Sequence, residues 1–211
     1  MAGNIQDLNL IKFENEIREY EGLASILEMY IRNIYNNLKR FPTYWSGKRA
    51  NVVISKWNNS YKTINSQMFY FTRTMSTLLW EMRDQYQAME QGTPKKSNRK
   101  SWTGAELNSV PLSNSSIIKF EQTQAKQIIS GISTNGTNVN ATIKKMINKL
   151  NGMQNYSDSL KKLVTTYNEN ATRLQRSIIS LINSIQDEAQ KAYNDTTTTE
   201  AYNETDVKRA K

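Results

Sequence analysis

The sequence predicts an all-α protein: two antiparallel helical hairpins that form an elongated four-helix bundle. Apolar residues recur at alternating spacings of three and four over segments far longer than a strand. Breakers are scarce, with 8 Gly and 3 Pro in 211 residues, and Pro42, Pro94 and Pro111 fall where the apolar period lapses. The order helix, short turn, helix is read twice. Hydrophobic residues make up only 37% of the chain, which suits a thin bundle burying one stripe per helix.

The first helix is carried by Leu10, Phe13, Ile17, Tyr20, Ala24, Leu27, Ile31, Ile34, Leu38 and Phe41, a seam without a miss. Asp7 is placed to cap its N-terminus, and Pro42 is expected to stop it. The second follows through Ile54, Trp57, Tyr61, Ile64, Met68, Phe71, Met75, Leu78 and Met82, and decays near Gly92-Thr93-Pro94. Only the stretch from Phe41 to Gly47 separates them, so the two fold back antiparallel. Residues 1–91 therefore form one hairpin, with limbs of roughly 50–60 Å at 1.5 Å per residue.

Residues 92–112 read as a linker, rich in charge and breakers and without an apolar period. If the hairpins pack antiparallel, this segment must travel a full limb, about 60 Å, against a reach of about 70 Å when extended. Trp102, midway, is placed either to pin such a strap to the bundle or to stand as a stray loop aromatic.

The second hairpin spans 113–192. Its first helix has a seam of Ile118, Ala125, Ile128, Ile132, Val139, Ile143, Met146 and Leu150, interrupted at Gly131 and Asn135-Gly136, where a kink or break is expected. Asn151-Gly152 is the expected turn; the alternative turns at Asn135-Gly136 and runs one long helix onward from Val139. The last helix holds Leu160, Val164, Tyr167, Ala171, Leu174, Ile178, Leu181 and Ile185 in the same spacing, and residues 193–211 read as a polar, fraying tail. Ile11-Lys12-Phe13-Glu14 recurs as Ile118-Lys119-Phe120-Glu121. Glu14 precedes Gly47 by 33 positions and Glu121 precedes Gly152 by 31, so the two units read as a tandem repeat in matching register.

The chain has no Cys and no His, which removes thiolate nucleophiles, imidazole acid–base chemistry and Cys/His zinc sites. The acidic pairs Asp187 with Glu188 and Glu14 with Glu16 fall on polar helix faces, and no Gly-rich phosphate loop occurs. The expectation is a non-enzymatic protein with no catalytic, cofactor-binding or metal-binding residues, no cofactor and no small-molecule substrate. The segment Met1 to Asp7 lacks a basic start and an apolar run, so no secretory signal peptide is expected.

A net charge of +9 fits nucleic acid, anionic lipid, anionic cell-wall polymer or plain solubility. Lys95, Lys96, Arg99 and Lys100 beside Trp102 form the one dense cluster, and a solvated linker outweighs a nucleic-acid grip there. Met68, Phe69, Tyr70, Phe71, Met75 and Met82 make the second helix unusually apolar. Burial in the bundle outweighs an opening onto lipid, which stays as an alternative.

Over residues 7–91 the chain resembles the WxG-motif helical hairpins exported by type VII (ESX-type) secretion systems. The resemblance rests on the long first helix, the Trp45-Ser46-Gly47 turn, a second helix bearing Trp57, and Tyr86-Gln87-Ala88-Met89-Glu90, which fits the family's Tyr-x-x-x-Asp/Glu export motif. The second half matches in architecture only, with Leu150 where the Trp would stand before Gly152. Since family members usually pair as antiparallel dimers, the chain looks like such a dimer fused into a monomeric pseudo-dimer. Tyr202-Asn203-Glu204-Thr205-Asp206 also fits the motif and lies past the last helix.

The resemblance implies an export surface of Trp45, Gly47, Tyr202 and Asp206, with Tyr86 and Glu90 as the rival station; Asn151 and Gly152 stand as the second turn on the repeat alone. It implies export out of the cell or to its surface. The partners it implies are the type VII export ATPase and a co-secreted helical protein. Effector, carrier and export-component roles all fit. A membrane-active amphipathic protein and an intracellular helical scaffold are the alternatives.

Overall fold

The computed structural model describes residues 10–92, 98–113, 119–154 and 157–209, with side chains throughout except at Gln91 and 196–209. Helix α1 spans Leu10–Tyr44 and ends in a two-residue strand β1, Trp45–Ser46. Helix α2, Lys48–Phe69, passes through a π-helical turn at Tyr70–Thr74 into α3, Met75–Gln91. After the connecting segment come β2 (Lys119–Phe120), α4 (Gln122–Met153) and α5 (Asp158–Arg209).

The expected all-α bundle is what these elements build. α1 packs on α4, α2 on α5, and α4 on α5, which puts α2 diagonally across from α4. The hairpins run antiparallel to one another. Asn33 of α1 meets Asn135 of α4 at 3.4 Å, while Glu19 pairs with Lys149. Phe71 packs edge-on to Tyr167 at 4.8 Å, while Arg49 reaches Glu188. The seams of α1 and α5 are buried as read, apart from a partly buried Leu10. Those of α2 and α4 are buried as read over Ile54–Met75, with Tyr61 partly buried, and over Ala125–Leu150.

Charge favours this orientation. Residues 29–80, around the first hairpin's turn, carry eight Lys/Arg and no Asp/Glu, and residues 122–157 carry four Lys and no acid. Acids gather instead at the start of α1 and late in α5. Antiparallel packing sets each basic stretch beside an acidic one, as Arg49 with Asp195 at 2.8 Å and Lys149 with Glu19 illustrate. Each exposed pair is worth only ~0.2–1 kcal/mol, but the parallel arrangement would oppose like charges at both ends.

Several expectations need correction. Pro42 does not stop α1, which continues to Tyr44. In the last turn the lost N–H removes a single ladder bond, and Phe41 is held in place by a tilted ring contact with Trp45 at 5.1 Å between centroids. Gly131 and Asn135-Gly136 do not break α4. Asn135 donates its amide to the Gly131 carbonyl at 2.6 Å, and Gly136 is buried where a Cβ would strike Ile182 of α5. A glycine there permits close helix packing, and the alternative hairpin through Asn135-Gly136 is excluded. Asn151 and Gly152 are not the second turn, since both lie inside the last turn of α4. The chain reverses after Met153, and Ser157 Oγ caps α5 by accepting the Leu160 N–H at 3.1 Å.

The four-residue identity does not mark equivalent positions. Lys12 and Phe13 are helical, whereas Lys119 and Phe120 form β2 ahead of α4. The seam of the second helix also shifts phase. The π turn inserts one extra residue, so Leu79 and Trp80 are buried while Leu78 and Met82 are only partly so. Tyr20 Oη donates to the Phe71 carbonyl in that turn at 2.7 Å, and Thr72 Oγ1 to the Met68 carbonyl at 2.9 Å. Beyond it, buried Glu21 accepts from Ser76 Oγ at 2.5 Å and from Trp80 Nε1 at 2.9 Å. Helix α5 runs on through Arg209, past the point where the sequence predicts a polar tail. Asp7 and Ile118 lie outside the described residues.

The connecting segment is a docked strap. Between Asn98 and Ser113 it travels back along α3 and α2, and Arg99 pairs with Asp84 at 3.0 Å near its start. Trp102 packs on the core. Leu107 and Val110, three apart, are each 1% exposed, an apolar period that the sequence reading missed. Three asparagines of α2 spaced by seven clamp the strap backbone. Asn65 accepts from Leu107 N–H (3.1 Å) and donates to its carbonyl (3.4 Å). Asn58 does the same to Val110 at 2.8 and 2.9 Å, and Asn51 to Ser113 at 2.8 and 2.9 Å. Seven helical residues rise about 10.5 Å and three polyproline-like residues about 9.3 Å, so a heptad of amides matches every third strap residue.

Candidate functional site

The turn of the first hairpin is where sequence and structure concentrate unusual features. Gly47 adopts φ 99° and ψ −173°, a region open essentially to glycine alone, and its carbonyl accepts the first bond of α2 from Asn51 N–H at 3.1 Å. Two residues earlier, Trp45 is buried between Phe41 and Phe120, the latter edge-on at 5.3 Å. The glycine supplies the reversal and the tryptophan fills the space it encloses.

The entry of the second hairpin staples this turn. β1 pairs antiparallel with β2, Trp45 opposite Phe120 and Ser46 opposite Lys119. Glu121 N–H donates to the Tyr44 carbonyl at 2.9 Å, Lys119 Nζ donates to the Thr43 carbonyl at 2.9 Å, and Gly47 N–H donates to Ser113 Oγ at 3.2 Å. Four segments thus meet within a few residues of Gly47: the end of α1, the start of α2, the end of the strap and β2.

Helix α5 supplies the remaining wall. A cleft of about 380 Å³ opens between the turn and α5, with Phe120, Val52 and Ala192 giving apolar surface and Arg49, Glu188 and Asp195 a charged rim. Arg49 bridges both acids, at 3.5 Å to Glu188 and 2.8 Å to Asp195. The hydrogen bond to Asp195 raises the Arg49 pKa further. Glu188 is held below the usual carboxylate range, first by its hydrogen bond to Lys191 and then by Arg49. An ionised, arginine-clamped carboxylate is a poor proton donor at neutral pH. Among the described residues no group of three or more His, Cys, Asp or Glu is placed to hold a metal ion, and no helix is long and apolar enough to cross a membrane.

The sequence-read residues divide between two ends of the bundle. Trp45 and Gly47 sit at the stapled turn beside Glu188, Ala192 and Asp195. Tyr202 and Asp206 lie further along α5, and their side chains are outside the described residues. Tyr86 and Glu90 lie on α3 at the far end, where Arg83 pairs with Glu14 near the start of α1. Tyr86 packs partly buried on the core, and Glu90 is exposed. Asn151 and Gly152 belong to that same end, where Lys149 pairs with Glu19.

Sequence reasoning missed Phe120 and Arg49 as parts of the turn. Phe120 was visible only as half of a repeat, and its pairing with Trp45 spans 75 positions. It also missed the asparagine ladder, although Asn51, Asn58 and Asn65 stand at heptad spacing beside the seam of α2. No protein-family model, curated protein or solved structure gives a match to this chain.

Proposed function

We propose that this protein is a WxG-like substrate of a type VII secretion system, acting through protein contacts. The observation that carries the reading is the construction of the Trp45-Ser46-Gly47 turn. The turn tryptophan is buried, the glycine takes a conformation other residues avoid, and late α5 lies against both. Fused antiparallel hairpins are also what a WxG dimer written in one chain calls for. The surface offered to the export ATPase is then composite: the rim of the turn and the continuation of α5 that bears Tyr202 and Asp206. Because Trp45 is buried, its part is to shape that surface, while its exposed neighbours Lys48 and Lys119 make contact.

Binding to the purified cytosolic domain of the export ATPase tests this. The intact protein is expected to bind, the double variant Tyr202→Ala/Asp206→Ala to lose binding, and Tyr86→Ala/Glu90→Ala to retain it. Loss confined to the second variant would move the signal to α3. Absence of binding by the intact protein would count against the reading as a whole.

A further inference from the structure

We propose that the outer face of α2 is a binding site for linear phosphodiester or polyphosphate chains, read through their phosphates. The proposal does not rest on the export reading, although Lys48 lines both this surface and the cleft at the Trp45–Gly47 turn. Lys48, Lys56 and Lys62 stand along α2, about 12 and 9 Å apart at 1.5 Å per residue. None of the three forms an ion pair among the described residues. Arg18, Arg32, Arg49, Arg83, Arg99, Lys119, Lys149 and Lys191 each have an acidic partner, whereas Lys48, Lys56 and Lys62 belong to the larger group of described basic side chains without one.

Nothing on the same helix neutralises them, since residues 29–80 contain no acid. Lys48 and Lys56 border a shallow groove of about 490 Å³ between α2 and α5, whose lining adds Ser55, Asn59 and Ser184. The lining thus combines two ammonium groups with hydroxyl and amide donors, a set suited to phosphate oxygens. From α5, Arg173 and Arg176 are exposed and likewise form no ion pair among the described residues, so they extend the basic surface. Among the described side chains of α5 the exposed acids are Asp158, Glu169, Asp187 and Asp195. Glu188 and Asp195 are occupied by Arg49.

The chemistry selects among anions. The groove has no aromatic lining residue, so it lacks a platform on which bases would stack. It holds no arginine fork for planar carboxylates, whereas lysine binds phosphate as a point charge. Electrostatic capture of a polymer releases condensed counterions, so affinity should fall steeply with salt.

The test is titration of the full chain with fluorescently labelled inorganic polyphosphate across a range of salt concentrations. Oligodeoxythymidylate and poly-glutamate serve as comparison probes. The variant Lys48→Gln/Lys56→Gln/Lys62→Gln is set against Lys126→Gln/Lys144→Gln/Lys145→Gln, an equal charge change on the diagonally opposite α4. Matching thermal melts establish that both variants are folded. Removing three phosphate contacts is expected to weaken polyphosphate binding by tenfold or more and to flatten the salt slope by about two, at ~0.7 per contact for single strands. The α4 variant should bind nearly as the parent does, and oligodeoxythymidylate should bind comparably to polyphosphate. Equal losses in both variants would overturn the proposal in favour of diffuse net charge. Poly-glutamate binding as tightly as polyphosphate, binding to the oligonucleotide alone, or no binding at physiological salt would overturn it as well.

Discussion

Replacing Asn58 with alanine should detach the middle of the strap. Its amide holds both backbone polar groups of Val110, donating to the carbonyl at 2.9 Å and accepting the N–H at 2.8 Å. Val110 is 1% exposed, so neither group is readily passed to water. An unsatisfied buried donor or acceptor costs about 1–3 kcal/mol. Asn58 is only part-buried, so some rehydration is expected and the loss should fall near 2–3 kcal/mol, or roughly 4–12 °C in Tm for a chain of this size. The neighbouring exposed Asn59 serves as control, and Asn59→Ala should stay within about 0.5 kcal/mol. Urea unfolding gives the free energy, and hydrogen exchange at the Val110 amide reports the strap directly. A loss below about 0.5 kcal/mol with undiminished Val110 protection would refute the view that paired backbone bonds hold the strap.

Gly47→Ala forces a Cβ into a glycine-only conformation and should cost about 1–3 kcal/mol, read by thermal unfolding; an unchanged Tm would mean the turn relaxes freely. Gly136→Ala drives a methyl into the end of the Ile182 side chain; overpacking of about 1–3 kcal/mol, offset by a helix-propensity gain of about 1 kcal/mol, should leave a net destabilisation of up to about 2 kcal/mol. Gly152→Ala meets nothing within 4 Å inside a helical turn and should stabilise by up to about 1 kcal/mol; a destabilisation there would restore Gly152 as a turn. Glu188 has a folded pKa below its unfolded value of 4.5, so its contribution is present above that value and fades as pH falls through the folded one. Acid unfolding of Arg49→Gln should therefore lose part of this pH dependence, and an identical profile would show that Arg49 adds nothing to the shift. Tyr20, Tyr70 and Tyr167 have raised pKa values, chiefly through burial. The folded state thus holds their protons more tightly, and stability should decline as pH rises past 10, which alkaline melts would follow.

The helices were legible because each buries one continuous stripe, and alternating spacings of three and four register that stripe directly. Errors arose where a residue's local preference is overruled by its surroundings. Pro42 and Gly152 read as punctuation, yet each sits in a final helical turn where few ladder bonds are at stake. Asn135-Gly136 read as a break, yet Gly136 makes room for Ile182, a contact 46 positions away that no local pattern reveals. The π turn at Tyr70–Thr74 leaves the apolar spacing of its own segment unbroken and shows itself only in the altered phase of Leu79 and Trp80. The reach of the strap and Trp102 as its pin are legible in the sequence, but its period of three belongs to an extended chain against a helix, which neither the helical nor the strand template detects. Of the turn, the sequence offered Trp45 and Gly47. Phe120, Arg49 and the late α5 residues come together only through antiparallel packing.

Secretion in the native host tests the central claim most directly, by comparing the protein in culture supernatant and cell lysate with and without the type VII export ATPase. The account predicts protein in the supernatant only when the ATPase is present, with lysis markers confined to the cell fraction. Protein retained in the cytosol of both strains, or released equally from both, would contradict the export reading while leaving the bundle and its strap intact.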